Sequence, residues 1–258
     1  MIKLSVVIIT FNEEQNIGRC IDSVREVADD TVVVDSYSTD KTREIALAGG
    51  ARVIEHFFDG HIEQKNYAIT QALYPHILSL DADECLSEEL ATSVKAAKAS
   101  WKYDGYEMNR LTNYCGTWVR HSGWYPDRKL RLWDSRKGQW GGINPHDKFI
   151  MNPSSTISRL DGDILHYSYY SVEDHQKQIH KFSSIAAKAY YQRKQKNALF
   201  LVWLSPVAAF LRQYFINLGF LDGRYGYIIC KNCAYEKYLK YKKLRSLYRQ
   251  EWLNKSSK

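Results

Sequence analysis

Lys3 to Thr10 (Lys-Leu-Ser-Val-Val-Ile-Ile-Thr) constrains the fold of this chain most. The run is rich in β-branched residues and nearly continuous in its apolarity. A strand wet on one face alternates polar and apolar; one buried on both faces does not. The segment therefore belongs inside a sheet covered on both sides. Phe11-Asn12-Glu13-Glu14 reads as the loop that follows, and Asn16 to Val27 as a helix with Ile17, Cys20, Ile21 and Val24 on one stripe. Thr31–Val34 reads as a short buried strand and Val53-Ile54 as a third short strand, with a helix near Lys41 between them that Ser38-Thr39-Asp40 can cap. A helix over about Ile62 to Leu73 precedes a fourth strand, Ile77–Leu80. Strand–helix alternation of this kind implies an open, mostly parallel α/β sheet.

Ligands of such sheets bind beyond the carboxyl ends of the strands. Three polar clusters fall at those ends: Thr10–Glu13, Asp35–Asp40 and Asp81–Glu84. In extended chain Asp81 and Asp83 would project to one side, a half-site for a hard cation such as Mg²⁺ or Mn²⁺. A solvated acidic turn is the plain alternative. No Gly-x-Gly-x-x-Gly follows the first strand and no Gly-x-x-x-x-Gly-Lys-Ser/Thr occurs, which disfavours dinucleotide and P-loop sites. Recognition of a nucleotide by carboxylates and a metal is the alternative. Asp35 could accept the N–H of a uracil ring, and a metal at Asp81/Asp83 could neutralise a diphosphate.

Here the motifs become specific. Ser5-Val-Val-Ile-Ile-Thr-Phe-Asn-Glu-Glu14, Val33-Val-Asp-Ser-Tyr-Ser-Thr-Asp-Lys-Thr42 and Asp81-Ala82-Asp83 resemble the family 2 glycosyltransferases of the GT-A fold. Gln64-Lys65-Asn66, Trp124-Tyr-Pro-Asp-Arg-Lys-Leu-Arg-Leu-Trp133 and Gly219-Phe-Leu-Asp-Gly-Arg224 extend the resemblance towards the lipopolysaccharide-core β-glucosyltransferase branch. Where many members have an acid and a glycine after the Asp35 position, this chain has Ser36 and Tyr37. The change is expected to leave base recognition intact and to crowd the ribose side.

The resemblance implies roles by position. Thr10, Asn12 and Glu13 would line the nucleotide pocket, with Asp35 on the base. Lys65 would approach the diphosphate or ribose, against a solvated helix lysine. Asp83 would be the main metal ligand, with Asp81 on the ribose or a metal-bound water. Asp147 is the candidate general base, where the branch carries a His-Glu pair and this chain has His146-Asp147; an exposed loop acid is the alternative. His166 is read as a further metal ligand, a phosphate contact or a hydrogen-bonded core histidine. Gly141–Asp147 reads as a mobile loop. Trp118, Trp124, Tyr125, Trp133 and Trp140 suit sugar stacking, with packing as the plain reading for at least half of them.

Charge divides the chain. Residues 177–258 hold 17 Lys and Arg against 3 Asp and Glu, while the whole chain carries +7. We expect a catalytic domain over residues 1–172, with a nucleotide-binding half at 1–90 and an acceptor half at 91–172. A basic, partly apolar helical extension would follow at 173–258. Ala198–Leu211 is the most apolar stretch; it is short of the ~20 residues a span needs, and Pro206 interrupts it. It reads as an interfacial or hairpin segment at a membrane surface. Lys231–Arg249 alternates tyrosine with cations, as for a helix on anionic lipid or one packed on the domain or a second copy. Ile2–Thr10 is interrupted by Lys3 and reads as a strand rather than a signal peptide. Five scattered cysteines argue for a reducing compartment, and Cys230-Lys-Asn-Cys233, without a second pair, reads as ordinary helix.

The expectation is therefore an inverting, metal-dependent transferase at the inner face of a bacterial membrane. It would move a hexose from a nucleotide-sugar donor, UDP-linked, to a lipid-linked saccharide such as lipopolysaccharide core. A sugar nucleotidyltransferase shares the sheet type but carries a glycine-rich basic loop that Phe11–Glu14 is not. A non-catalytic binder of RNA or another anionic polymer through the basic tail is the alternative from a different class. The strand-end acids would repel a polyanion, so nucleic acid is not the expected partner; oligomerisation stays open.

Overall fold

The computed structural model describes residues 1–143, 146–195 and 201–256. The chain clusters into two compact units. Unit 1 is Met1–Leu111 with Pro126–Tyr167, and unit 2 is Thr112–Tyr125 with Ser168–Lys258.

Unit 1 begins with β1 (Leu4–Thr10), α1 (Ile17–Val24), β2 (Asp30–Asp35), α2 (Thr42–Ala48), β3 (Arg52–Glu55), α3 (His61–Thr70) and β4 (His76–Asp81). The four strands are parallel in the order β3-β2-β1-β4. Side-chain alternation sorts their residues onto two cores. Leu4, Val6, Ile8, Val33, Leu78 and Leu80 pack with α1, α2 and the helix α4 (Glu88–Ala99); Val7, Val32, Val34 and Ile77 pack with α3 on the other face. That two-sided burial is why these strands read as continuous apolar runs. On α1, Ile17, Cys20, Ile21 and Val24 are the buried stripe, as their spacing requires.

Beyond β4 the sheet is mixed. β5 (Glu84–Leu86), β6 (Gly105–Tyr114), β8 (Asp127–Asp134) and β11 (Ile157–Tyr169) complete the order β4-β8-β6-β11-β5, with β8 antiparallel to β4 and to β6, and β5 antiparallel to β11. β6 and β11 run in the same direction: the Gly105 N–H donates to the Thr156 carbonyl at their starts and the Cys115 N–H to the Tyr169 carbonyl at their ends. β9 (Gly138–Ile143) and β10 (His146–Met151) form a separate two-stranded antiparallel ribbon. This corrects the expectation of a loop over Gly141–Asp147: Gly141 pairs with Lys148 and Gly142 with Asp147, while residues 144–145 lie outside the described residues. Glycines removed the alternating pattern that marks a strand, and the stacking of Phe149 on Trp133, with Trp140 edge-on, supplies the packing that local sequence lacks.

In unit 2, β7 (Thr117–Val119) pairs with the end of β6 at Thr112–Tyr114. Three helices follow: α5 (Val172–Gln192), α6 (Leu201–Leu211) and α7 (Gly223–Ser256), which at ~1.5 Å per residue is about 50 Å long. α5 starts at Ser171, whose hydroxyl accepts from the Asp174 N–H. Lys243 of α7 donates to the His180 carbonyl and to the Ser183 and Ser184 hydroxyls of α5, and the Lys240 ammonium lies 4.3 Å from the Tyr190 ring centre. Part of the basic tail is therefore spent on packing. Cys230 and Cys233 are free thiols inside α7. Residues 196–200, which include the first three positions of the expected apolar segment, lie outside the described residues. No described helix is long and apolar enough to cross a membrane.

Candidate active site

The strand register places the polar clusters side by side. Thr10 is opposite Asp35 and Ile9 is opposite Asp81, so the ends of β2, β1 and β4 present three polar residues along one edge. The Thr10 hydroxyl is buried and has no hydrogen-bond partner among the described residues. A hydroxyl withdrawn from water without a partner costs about 1–3 kcal/mol, which a ligand could recover.

Loops after β1 and β2 are stitched together by their own side chains. Asn12, in left-handed backbone, accepts from the Thr39 N–H at 2.8 Å, and its own N–H donates to the Ser38 hydroxyl at 2.8 Å. Asp35 is fully buried and accepts from the Ser38 hydroxyl and N–H, at 2.5 and 2.8 Å. Glu13 accepts from the Asn16 amide at 2.7 Å; burial pushes its carboxyl above the usual range, against the effect of that hydrogen bond. Asp40 accepts from both the N–H and hydroxyl of Thr42, closing the first turn of α2. Tyr37 takes positive φ with its ring largely exposed, while the Ser36 hydroxyl accepts from Gln64.

Helix α3 carries the Gln64-Lys65-Asn66 triplet to three different partners. Gln64 reaches the loop after β2. Asn66 exchanges hydrogen bonds with the backbone N–H and carbonyl of Trp140, both 3.0 Å, and so ties α3 to β9. Lys65 is 4% exposed, not a solvated helix lysine. Its ammonium lies 3.0 Å from Asp81 Oδ1 and 2.8 Å from Asp147 Oδ2, and 4.6 Å from the centre of the Trp140 ring.

Asp81 and Asp83 are not related by strand alternation, because Asp81 ends β4 while Asp83 lies in the turn to β5. Each has its own partners. Arg131, 4% exposed on β8, donates from one nitrogen to Asp81 Oδ2 at 3.0 Å and to Glu84 Oε1 at 2.9 Å. Glu84 in turn accepts the Asp81 N–H and meets Arg110, which pairs with Asp127. Burial works to raise the Asp81 carboxyl, but Lys65 and Arg131 overcome it and hold Asp81 well below the usual carboxylate range. Asp83 Oδ2 instead lies 3.1 Å from His166 Nε2 on β11.

A divalent cation can be tested against these residues. Among the described residues no group of three His, Cys, Asp or Glu side chains forms a metal cage. Asp81 is committed to two cations. Asp83 and His166 together offer one oxygen and one nitrogen, both partly exposed. Such a pair fits Mg²⁺ or Mn²⁺, which bind through one or two protein groups and fill the remaining positions with phosphate oxygens and water.

The structure thus brings Thr10, Asp35 and Asp81 to one strand-end edge, joins Lys65 to Asp81 and Asp147, and pairs Asp83 with His166. Asp147 has an 11% exposed side chain and is not a loop acid in solvent. Arg131 is the residue whose place at the site reading the sequence missed, together with its pairing to Glu84, the buried end of the Asp81–Glu84 cluster. The available signal was an arginine flanked by leucines inside an alternating strand, a position that demands a buried carboxylate partner.

The mostly parallel sheet, with acids and a buried lysine at its strand-end edge and without a glycine-rich phosphate loop, is of the GT-A fold type. The family model for Glycosyl transferase family 2 matches residues 5–154. The chain belongs to that family and is a glycosyltransferase. An uncharacterized glycosyltransferase of Rickettsia typhi is 32% identical over 96% of this chain and 88% of its own length. The lipopolysaccharide core biosynthesis glycosyltransferase LpsC of Rhizobium meliloti is 27% identical over 87% of this chain and 85% of its own. Among solved structures, S. aureus TarS superposes with a TM-score of 0.46 at 17% identity, over 71% of this chain and 39% of that one. A likeness of that size carries no weight for donor or acceptor.

Proposed function

We propose that this enzyme transfers a hexose from a UDP-linked donor to a lipid-linked saccharide of the lipopolysaccharide-core kind, with inversion, at the inner face of a bacterial membrane. The observation that carries the reading is the buried Lys65, which links the strand-end carboxylate Asp81 to Asp147. It brings a carboxylate from a ribbon distant in sequence to the edge where a nucleotide would lie. The name of the Rhizobium meliloti relative supports the acceptor class.

In this reading Thr10, Asn12, Glu13 and Asp35 line the nucleotide pocket. The orphan Thr10 hydroxyl gains a partner there, and Asp35 meets the base. Asp81 fixes Lys65, and Lys65 holds Asp147 through Oδ2. Asp147 takes the proton of the acceptor hydroxyl as that oxygen forms its bond to the anomeric carbon. The bond from that carbon to the diphosphate breaks, and its electron pair leaves with the nucleoside diphosphate. Asp83 and His166 are the residues that would hold Mg²⁺ or Mn²⁺, which supplies positive charge to the departing diphosphate.

Calorimetry tests the donor half. UDP, GDP and UDP-glucose are titrated into the protein with and without Mn²⁺, and again into Asp83→Ala. Metal-dependent UDP binding that Asp83→Ala abolishes is the expected result. Absence of nucleotide binding under every condition would sink the reading.

A further inference from the structure

Unit 2 presents a surface that the transfer chemistry does not use. On α6, Trp203, Val207 and Leu211 repeat at four-residue intervals and are all exposed, Trp203 at 71%. The exposed run continues through the π-helical turn Arg212–Ile216, where Ile216 is 76% exposed. An apolar stripe of this length left in water is unusual for a folded unit and marks an interaction surface.

The neighbouring helix identifies the partner. On α7 the exposed cations Arg224, Lys231, Lys242, Arg245 and Arg249 fall, at ~100° per residue, within about 40° of one line along the helix. Tyr227, Tyr235 and Tyr238 occupy the same line. The two acids of α7, Glu236 and Glu251, fall on other faces, and Glu251 accepts from the Tyr191 hydroxyl. Lys240 and Lys243, which pack on α5, also lie off the line. The two stripes run side by side: the Tyr238 ring is 5.9 Å from Trp203 and the Tyr227 ring 6.0 Å from Phe210. Apolar side chains next to a row of tyrosines and cations, without an acid in the row, match the depth profile of a bilayer surface. Hydrocarbon receives the first, the interface the second and anionic headgroups the third.

We infer that the α6 stripe with its π-helical turn, together with the Arg224–Arg249 line of α7, docks unit 2 on an anionic lipid bilayer. The apolar stripe enters the interface while the cations meet headgroup phosphates. This deepens the reading of a lipid-linked acceptor, because it places the enzyme where such an acceptor resides.

The test is flotation of the full-length protein with vesicles of phosphatidylcholine alone and of phosphatidylcholine containing about one-third phosphatidylglycerol. Binding is expected to the anionic vesicles and to weaken with salt. Each cation contributes about fivefold to partitioning, so Lys231→Gln/Lys242→Gln/Arg245→Gln is expected to weaken anionic-vesicle binding about a hundredfold. Trp203→Ser/Ile216→Ser, at two exposed positions, is expected to weaken it at least about tenfold. Failure to float with anionic vesicles, or equal binding to neutral ones, would overturn the inference. Self-association lost in the apolar variant, with vesicle binding unchanged, would reassign the face to a second copy and overturn it too. UDP binding measured on the same variants should stay at the wild-type level. In the unaltered protein, UDP binding without anionic-vesicle binding discards the docking surface alone, and anionic-vesicle binding without UDP binding discards the donor reading alone.

Discussion

At the scale of single residues, two arginine and aspartate contacts separate structure from chemistry. Arg131 lies in the interior between Asp81 and Glu84, so Arg131→Met leaves the two carboxylates facing each other with no cation between them, Asp81 keeping only Lys65 and Glu84 only Arg110. Removing one partner of a buried pair costs about 3–5 kcal/mol, and urea unfolding should show a loss of that size. Asp83 is partly exposed and paired with a histidine. Asp83→Ala should therefore change stability by no more than about 1 kcal/mol while removing metal-dependent nucleotide binding. A large stability loss in Asp83→Ala would show that the His166 contact is architectural. Asp81 and Asp83 stand two positions apart and look equivalent on the page; their partners, from β8, α3 and β11, make them different.

At the scale of elements, the close approach of β11 to the start of α4 is set by a glycine. Gly162 has φ +92°, and a Cβ there would lie 2.3 Å from the Leu90 nitrogen, which is backbone and cannot move aside. Gly50 shares the positive φ, at +85°, with nothing within 4 Å of such a Cβ. Gly50→Ala should cost about 1 kcal/mol from backbone strain alone, and Gly162→Ala more than about 4 kcal/mol. Equal losses in thermal or urea unfolding would mean that the β11–α4 approach relaxes freely. The strands β1, β2 and β4 were legible because each is buried on both faces and so carries its signal in its own composition. The β9–β10 ribbon was not, since its glycines carry no pattern and its order comes from Trp133, Trp140 and Phe149 rings that meet only after folding.

At the scale of the whole molecule, stability should fall in mild acid because of His175 in unit 2. Its Nδ1 is 2.9 Å from the Tyr114 hydroxyl and 3.1 Å from the Asn232 amide nitrogen, an acceptor's position that protonation would destroy. Burial lowers its pKa from 6.5 to about 4. Between those values the unfolded chain binds the proton and the folded protein does not, so acid favours unfolding. The contribution is complete above about pH 6.5 and is lost as pH falls towards 4, on the order of 3 kcal/mol in all. Urea midpoints compared at neutral pH and near pH 5 should show this slope, and His175→Gln should flatten it. An unchanged slope in the variant would assign the acid sensitivity to other groups.

By itself the sequence determined the parallel half of the sheet, the family, and the residue types gathered at the strand ends. Those features depend on side-chain burial and motif spacing within short stretches, which local pattern records. Tertiary structure alone decided that Lys65 is buried between Asp81 and Asp147, that Arg131 takes Asp81 from one side, and that Asp83 turns to His166. It also decided that Thr112–Tyr125 clusters with Ser168–Lys258, where the Asp222 carboxylate accepts from the His121 backbone and ring. The physical reason is sequence separation. A charge finds its counter-charge across tens of residues only when the folded chain closes the distance, and nothing in the composition of either stretch names the other.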